Sequence, residues 1–306
     1  MGIIKRILTA SFWVPTTFLL LQSDLTWFYF LTLVCALGTT EYFNTIAHGL
    51  RKNVCTSSRM YGQENPKENQ MILIALGVCL SLVASMGSAT MFSSATVFTM
   101  LSVLGYHFAL RWLPLGNENA SPTAADVAFF LIDLLGMILV PWGFSHLSLL
   151  RGHQEYGLAY TAITIGAAWS ADTGALFFGK MFGRYTPRLM PAISPNKTVA
   201  GFAGAILSSV GVLFLVSYLA SIGMFFPIPK MLNWHSTTRA SDLAVVGVVF
   251  GLTSVVGDAI ESVLKRASEI KDSGEFFPGH GGFLDKIDSI TMTAIVFYHF
   301  VAPLLE

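Results

Sequence analysis

Residues 242–264 read DLAVVGVVFGLTSVVGDAIESVL, a long apolar run that carries acidic side chains at its first residue and near its end. A helix needs about 20 mainly apolar residues to cross the roughly 30 Å hydrocarbon core of a bilayer. The stretch has this length, so the sequence predicts a membrane-spanning helix. Asp258 and Glu261 near its end then require a partner, because an acid within a spanning helix is unfavourable by several kcal/mol.

The same pattern recurs along the chain, with further apolar windows near 7–21, 25–47, 70–87, 89–113, 124–145, 156–182, 197–222 and 288–304. No window alternates like the strands of a membrane barrel, and a helix satisfies its own backbone hydrogen bonds in lipid. We therefore predict an all-α integral membrane protein with about nine transmembrane helices. One continuous membrane domain would comprise N-terminal helices at 1–155 and a catalytic region at 156–306.

Composition and charge agree with a membrane protein. The mean hydropathy is +0.62 and 12% of residues are charged, against about a quarter in soluble domains. A net charge of zero gives no basic footprint for nucleic acid. Of the 18 lysines and arginines, all but Arg151, Lys230 and Arg239 fall on the side of the N-terminus. Positive charge marks the cytoplasmic side, so the sequence predicts a cytoplasmic N-terminus. The membrane itself would be a bacterial inner membrane or a eukaryotic organelle membrane.

Six acids lie in or at the edge of the apolar windows, and such residues are functional candidates. They are Glu41, Asp126, Asp133, Asp172, Asp258 and Glu261. Asp258, Glu261, Ser262 and Lys265 follow at i, i+3, i+4 and i+7, which places them on one helix face. An internal ladder from Glu261 to Lys265 that ends the helix at the interface explains this stripe equally well.

The segment DSGEFFPGHGGFLDKID, residues 272–288, adds a second acidic pair. Asp285 and Asp288 open the last apolar window, so two helix ends are predicted to bring carboxylates to one interfacial site. Oxygen ligands without cysteine or paired histidine suit a hard cation, and Mg²⁺ usually combines one or two carboxylates with substrate phosphates. The site is therefore predicted to face the cytoplasm, where nucleotides are found.

Cations and glycines surround these acids and indicate a polyphosphate ligand. The cations are Lys265, Arg266, Lys271 and Lys286. Gly279, Gly281 and Gly282 would let the backbone approach phosphate closely. His280 is interpreted as a phosphate contact or as a residue that orders the loop.

A third cluster lies in the stretch SADTGALFFGKMFGR, residues 170–184. Small residues recur there every four positions, which lets another helix approach closely, either within the chain or in a homodimer. We expect Asp172 to be buried on this helix. Gly174 to Lys180 imitate a phosphate-binding loop, but Met181 stands where Ser or Thr is required and the context is an apolar helix. SPNKT, residues 194–198, predicts a helix start with Ser194 as its cap and Lys197 available for phosphate.

These stretches together resemble a known family. Residues 262–288 resemble the C-terminal signature of phosphatidate cytidylyltransferases, the CDP-diacylglycerol synthases, with S-x-x-K-R, K-D, H-G-G and a final D-R-x-D. GDAIES at 257–262, the stretch 170–184 and SPNKTVAGF at 194–202 resemble the family's other motifs. Lys286 stands where the family usually has Arg, and Ala200 where it usually has Glu. The first 155 residues resemble the family mainly in hydropathy and in Glu41.

The resemblance implies transfer of CMP from CTP to phosphatidic acid, with release of pyrophosphate. We expect Mg²⁺, with or without a second cation, to be held by Asp258, Asp285 and Asp288, with Asp172 as a supporting ligand. Substrate phosphates would then be bound by the remaining candidates, which are Lys265, Arg266, Ser194, Lys197, Ser262, Lys271, His280, Gly281, Gly282 and Lys286.

Two other functions are compatible with parts of the pattern. CTP-dependent polyprenol and phytol kinases are also membrane-embedded, but they transfer the γ-phosphoryl group and release CDP. A multi-pass transporter would show inverted repeats and polar groups at the bilayer centre, whereas here the polar residues cluster at helix ends.

Overall fold

α-Helices carry almost all the regular structure in this computed structural model, which describes residues 15–17, 19–54, 66–109, 123–222, 240–277 and 281–305. Within these ranges the only sheet is an antiparallel hairpin of β1 (Arg188–Met190) and β2 (Ser194–Thr198). The predicted helical class is confirmed. The chain divides into two compact units, 1–145 with 264–285 and 146–263 with 286–306.

Five of the described helical stretches are long and apolar enough to cross a bilayer. They are Ala89–His107, Ala124–Arg151, Val199–Ser221, Ala240–Ala267 and Leu284–Leu305, and a shorter apolar helix lies at Gln70–Ser85. These helices fit a multi-pass membrane protein. The count of nine stays a prediction, as does the cytoplasmic N-terminus, and most of the window at 7–21 lies outside the described residues.

The first unit is built from α1 (Asp24–Glu41), α2 (His48–Val54), α3 (Pro66–Ser85), α4 (Ala89–His107) and α5 (Ala124–Met137). A π-helical turn at Tyr42–Ala47 joins α1 to α2. The Tyr42 ring fills the space that a Cβ atom on Gly136 would need, and its hydroxyl donates to the carbonyl of Ile132 at 2.9 Å. The glycine therefore allows α5 to pack closely against this turn.

Two of the six membrane acids have structural partners in the first unit. Asp133 is buried and forms an ion pair with Arg51, and His107 Nε2 lies 2.9 Å from its other oxygen. This network ties α2, α4 and α5 together. Asp126 forms a capping box with Thr123 at the start of α5. Tertiary pairing thus explains Asp133 and local capping explains Asp126, since a buried charge is stable when it is paired and hydrogen bonded.

The helices of the second unit are α6 (Gly143–Arg151), α7 (Gly157–Phe182), α8 (Val199–Ser221), α9 (Ala240–Ala267), α10 (Leu284–Val296) and α11 (Ala302–Leu305). α9 and α10 each contribute residues to both units. A π-helical turn at Phe297–Val301 precedes α11. The Phe297 ring packs edge-on against Tyr160 and Phe250, with ring centroids 5.1 Å and 5.0 Å away. These three rings form an aromatic core.

The small residues of α7 pack against α8. A Cβ atom on Gly201 would lie 2.9 Å from the carbonyl oxygen of Ala175, and one on Gly204 would lie 2.5 Å from Cβ of Phe178. Glycine at these positions therefore permits backbone contact between the helices. Asp172 has an exposed edge, while the protein around its carboxylate desolvates it, so the expectation that it is buried stays a prediction. Successive helix residues point about 100° apart, and it is the neighbouring Ala171 that is buried.

The segment 194–198 does not begin a helix. It forms β2, which pairs with β1 in the register Arg188 with Thr198. Helix α8 starts at Val199, and its cap is Thr198, whose hydroxyl accepts from Gly201 N at 3.2 Å. The prediction of Ser194 as the cap was therefore wrong, because the cap lies four residues later, at Thr198. The hairpin holds Lys197 in an extended segment directly before α8.

Candidate active site

Three acids from three helices of the second unit form one group, in which Asp172 lies within electrostatic range of the other two. Asp172 on α7 accepts from Ser254 Oγ of α9 at 3.4 Å and from Ser289 Oγ of α10 at 3.3 Å. The carboxylates of Asp258 and Asp288 act electrostatically on Asp172. Like charges held this close repel, so the group favours a bound cation. We call Asp172, Asp258 and Asp288 the acid group.

Asp258 has a direct cationic partner. Lys197 Nζ lies 2.5 Å from Asp258 Oδ2, and Ser262 Oγ donates to Oδ1 at 3.2 Å. The side chains of Lys197 and Asp258 are 26% and 34% exposed, although Lys197 Nζ itself is buried beside Asp258. An ion pair between partly exposed side chains contributes at most about 1 kcal/mol to stability. Its position beside Asp172 makes it a better candidate for ligand binding than for holding the fold.

The donor set suits a cation that arrives with phosphates. Among the described residues, no three His, Cys, Asp or Glu side chains are arranged to hold a metal ion by themselves. Mg²⁺ commonly takes one or two carboxylates and completes its six ligands with water and substrate phosphate. The carboxylates of Asp258 and Asp288 and the hydroxyls near Asp172 are oxygen donors of that kind. The residues present therefore fit Mg²⁺ bound together with a nucleotide.

A second cluster lies in the first unit and centres on Asp285. Its Oδ1 is 2.5 Å from Lys265 Nζ, and both side chains are nearly buried, at 9% and 12% exposure. Its Oδ2 accepts from Ser273 N at 2.9 Å, from Ser273 Oγ at 3.0 Å and from Gly282 N at 2.8 Å. With both oxygens bonded, Asp285 fixes Lys265 and both ends of the loop at 273–282.

Glu41 holds the same loop from the other side. It lies at the last residue of α1, where the helix widens into its π-helical turn. Its Oε2 accepts from Ser273 Oγ at 3.1 Å and from Leu284 N, at the start of α10, at 3.0 Å. Thr45 Oγ1 also donates to the Ser273 carbonyl at 3.0 Å. Hydrogen bonds from the N-terminal helices thus hold the loop that carries the C-terminal signature.

The glycines of this loop leave room for those carboxylates. Gly281 has a φ of 84°, a left-handed conformation that favours glycine, and an added Cβ would strike the Asp285 side chain. A Cβ on Gly282 would strike Glu41 and lie 2.6 Å from Ser273 Oγ. The Gly282 N–H donates to Asp285. In this structure the glycines therefore allow close packing of protein groups, a purpose that their sequence pattern did not reveal.

The other predicted residues are distributed as follows. Arg266, Lys271 and Lys286 are exposed, Ser194 is half-buried in β2, Ser262 is buried, and His280 and Gly279 lie outside the described residues. Arg266 Nη1 donates to the Ile270 carbonyl at 3.3 Å. The sequence did not single out Ser254, Ser273 or Ser289. A usable signal was the spacing of Ser254 four residues before Asp258, which places both on one helix face.

Comparisons with known proteins agree with these motifs. The model of the cytidylyltransferase family matches residues 4–304. A phosphatidate cytidylyltransferase of Bacillus subtilis (strain 168) is 34% identical over 168 residues, which cover 55% of this chain and 56% of the relative. The Synechocystis sp. enzyme of that name is 39% identical over 149 residues, or 49% and 45% of the two chains.

A third relative, the phosphatidate cytidylyltransferase of Brucella suis biovar 1, is 35% identical over 167 residues, covering 54% of this chain and 55% of its own. The chain thus spans about half the length of these curated relatives. The family match extends over nearly the whole sequence. On that match, this chain belongs to the cytidylyltransferase family.

Proposed function

We propose that the protein is a phosphatidate cytidylyltransferase, which joins CMP from CTP to phosphatidic acid and makes CDP-diacylglycerol and pyrophosphate. The observation that carries this proposal is the partly exposed Lys197–Asp258 ion pair, whose carboxylate acts electrostatically on Asp172. It places opposite charges for phosphate and for a cation in one unit. Family membership and the names of the relatives support the same reaction.

The reaction needs placement and charge neutralisation more than it needs a base. A phosphate oxygen of phosphatidic acid attacks the α-phosphorus of CTP, the new P–O bond forms, and the bond to the β-phosphate oxygen breaks. Pyrophosphate leaves with the bond's electron pair. The attacking phosphate is already ionised at neutral pH, so no proton has to be removed. In-line alignment and fixed charges then provide the rate enhancement.

We assign the acid group to the cation and the nearby lysines to phosphates. Mg²⁺, when bound, would neutralise charge that develops on the triphosphate. Asp258 and Asp288 are proposed as its ligands, with Asp172 in support. Lys197 would exchange its partner Asp258 for a phosphate oxygen as substrate enters. Ser262 donates to Asp258 and keeps that carboxylate oriented.

The remaining candidate residues are proposed as phosphate contacts. Lys265, Arg266, Lys271 and Lys286 are proposed to bind phosphate oxygens, with Ser194, His280, Gly281 and Gly282 completing the site. Asp285 keeps its proposed place near the cation, although its four hydrogen bonds also support a role in ordering the loop and Lys265. Asp285→Asn distinguishes the roles: activity within about threefold of the parent, less than ~1 kcal/mol in barrier, removes the metal role.

Topology and assembly are part of the proposal. Positive charge on one side supports a cytoplasmic N-terminus and active site, with CTP arriving from the cytoplasm and the lipid from the inner leaflet. The count of about nine spanning helices is proposed on hydropathy. The small-residue face of α7 contacts α8 within the chain. A homodimer remains a separate proposal.

The test uses purified protein in detergent with CTP, phosphatidic acid and Mg²⁺. We expect a CDP-lipid and pyrophosphate to form in equal amounts, and Asp258→Asn to lower the rate at least about a hundredfold, as loss of a key charge in the transition state does. Asp242→Asn changes an acid at the start of the same helix and should keep the parent rate. Equal activity of the two variants would contradict the assignment of Asp258.

A further inference from the structure

Three exposed cations line one surface of the second unit, outside the acid group. Lys180 lies in the last turn of α7, Arg184 in the short 3₁₀ turn that follows, and Arg188 at the start of β1. All three side chains are solvent-exposed. We call them, with the exposed Phe182 and Tyr185, the basic hairpin surface.

The charge of this surface is not balanced nearby in the sequence. Between residues 173 and 241 the chain has no aspartate or glutamate. Over the described residues, none of the ion pairs involves Lys180, Arg184 or Arg188. Arg184 instead lies over the Tyr185 ring, 4.4 Å from its centroid. A surface of this kind attracts anions, and several neighbouring cations attract a charged surface more strongly than a single ion.

Large apolar side chains lie between the cations. Tyr185 is 69% exposed and Phe182 is 43% exposed, at the end of a helix whose remaining length is largely apolar. Aromatic rings beside lysine and arginine at a helix end are typical of the level of the lipid headgroups. A purely soluble anion would leave these rings in water, whereas a lipid would cover both the rings and the cations.

The surface is held in one shape by the hairpin. Arg188 pairs with Thr198 across the two strands, and Val199 N donates to the Pro187 carbonyl at 3.0 Å. Thr186 Oγ1 accepts from Ala200 N at 3.2 Å. The backbone that carries Arg184 and Arg188 is therefore ordered before any ligand arrives, which reduces the entropy lost on binding.

We propose that the basic hairpin surface binds the anionic headgroups of membrane phospholipids. Its charge, its exposed aromatic residues and its fixed shape all fit a lipid headgroup at the membrane interface. The same hairpin carries Lys197, the partner of Asp258. The surface would thus concentrate anionic lipid beside the acid group of the same unit, while taking no part in the chemical step.

Binding of phosphatidylglycerol, an anionic lipid that is not the proposed substrate, tests this inference independently of the reaction. Native mass spectrometry of protein released from detergent micelles gives dissociation constants for phosphatidylglycerol and for neutral phosphatidylcholine. We expect the parent to prefer phosphatidylglycerol. Each of Lys180→Gln, Arg184→Gln and Arg188→Gln should weaken its binding about fivefold, from the typical attraction of one cation to an anionic membrane surface.

The controls separate charge at this surface from charge in general. Lys52→Gln removes an exposed cation on α2 and should leave phosphatidylglycerol binding within twofold. Arg184→Lys keeps the charge and should retain most of the affinity. The inference is overturned if the triple glutamine variant, folded with an unchanged melting temperature, keeps the lipid preference. It is also overturned if that variant loses affinity for CTP and not for lipid, since the surface would then serve the nucleotide.

Discussion

Glu41→Ala should loosen the loop that carries the C-terminal signature, because it removes an acceptor for two donors. Leu284 N loses its partner at a buried position, whereas Ser273 Oγ still has Asp285 Oδ2 at 3.0 Å. A buried donor left unsatisfied costs about 1–3 kcal/mol, and the lost hydroxyl bond adds about 1 kcal/mol. The expected loss of stability is therefore about 2–4 kcal/mol. Glu41→Gln keeps an acceptor oxygen and should lose about 1 kcal/mol or less.

Thermal unfolding in detergent, followed by tryptophan fluorescence, measures this difference. The Ala variant should melt about 4–16 °C below the parent, at about 2–4 °C for each kcal/mol in a unit of this size. The Gln variant should stay within about 3 °C. Glu155→Ala removes an exposed acid before α7 and should leave the melting temperature unchanged. Equal melting temperatures of the Ala variant and the parent, or equal destabilisation by Ala and Gln, would refute the proposed role of Glu41 in holding the loop.

Other substitutions test the packing and the site. Gly174→Ala should destabilise the protein by about 2 kcal/mol or more, because the new Cβ would overlap Ser208 on α8. Gly166→Ala on the same helix meets open space and should stabilise the protein by up to about 1 kcal/mol. Melting temperatures measure both changes. Gly281→Ala should lower stability by about 1–2 kcal/mol, because alanine is strained at the positive φ of this position. The same unfolding assay measures the loss, and an unchanged melting temperature would contradict the strained conformation. Lys197→Met should change stability by less than about 1 kcal/mol while lowering the rate of pyrophosphate release more than tenfold. Chelation by EDTA should abolish activity and Mg²⁺ restore it, and a fully active chelated enzyme would exclude the proposed cation.

The membrane helices could be read from the sequence because a bilayer imposes their length. The window 197–222 became the helix Val199–Ser221, and the window 242–264 became Ala240–Ala267. The acidic stripe on the second of these helices was also visible, since helical spacing alone places Asp258 and Ser262 on one face. Their hydrogen bond at 3.2 Å agrees with that prediction.

Contacts between distant parts of the sequence could not be read in this way. Glu41 and Leu284 are 243 residues apart, and no periodicity connects them. The hairpin before α8 was missed because Ser and Pro often begin a helix, and the pairing of β1 with β2 outweighed that local preference. The sequence alone marks Asp133 as a functional candidate, whereas only tertiary structure brings it to its partners Arg51 and His107.

The fate of the two ends of the triphosphate tests the proposed reaction most directly. Purified protein is incubated with phosphatidic acid, Mg²⁺ and CTP that is labelled either at the α-phosphorus or at the γ-phosphorus, and the lipid and aqueous products are separated. We predict that the α label enters the lipid and that the γ label is recovered in pyrophosphate. Recovery of the γ label in the lipid, with CDP in the aqueous phase, would contradict the account and identify a lipid kinase.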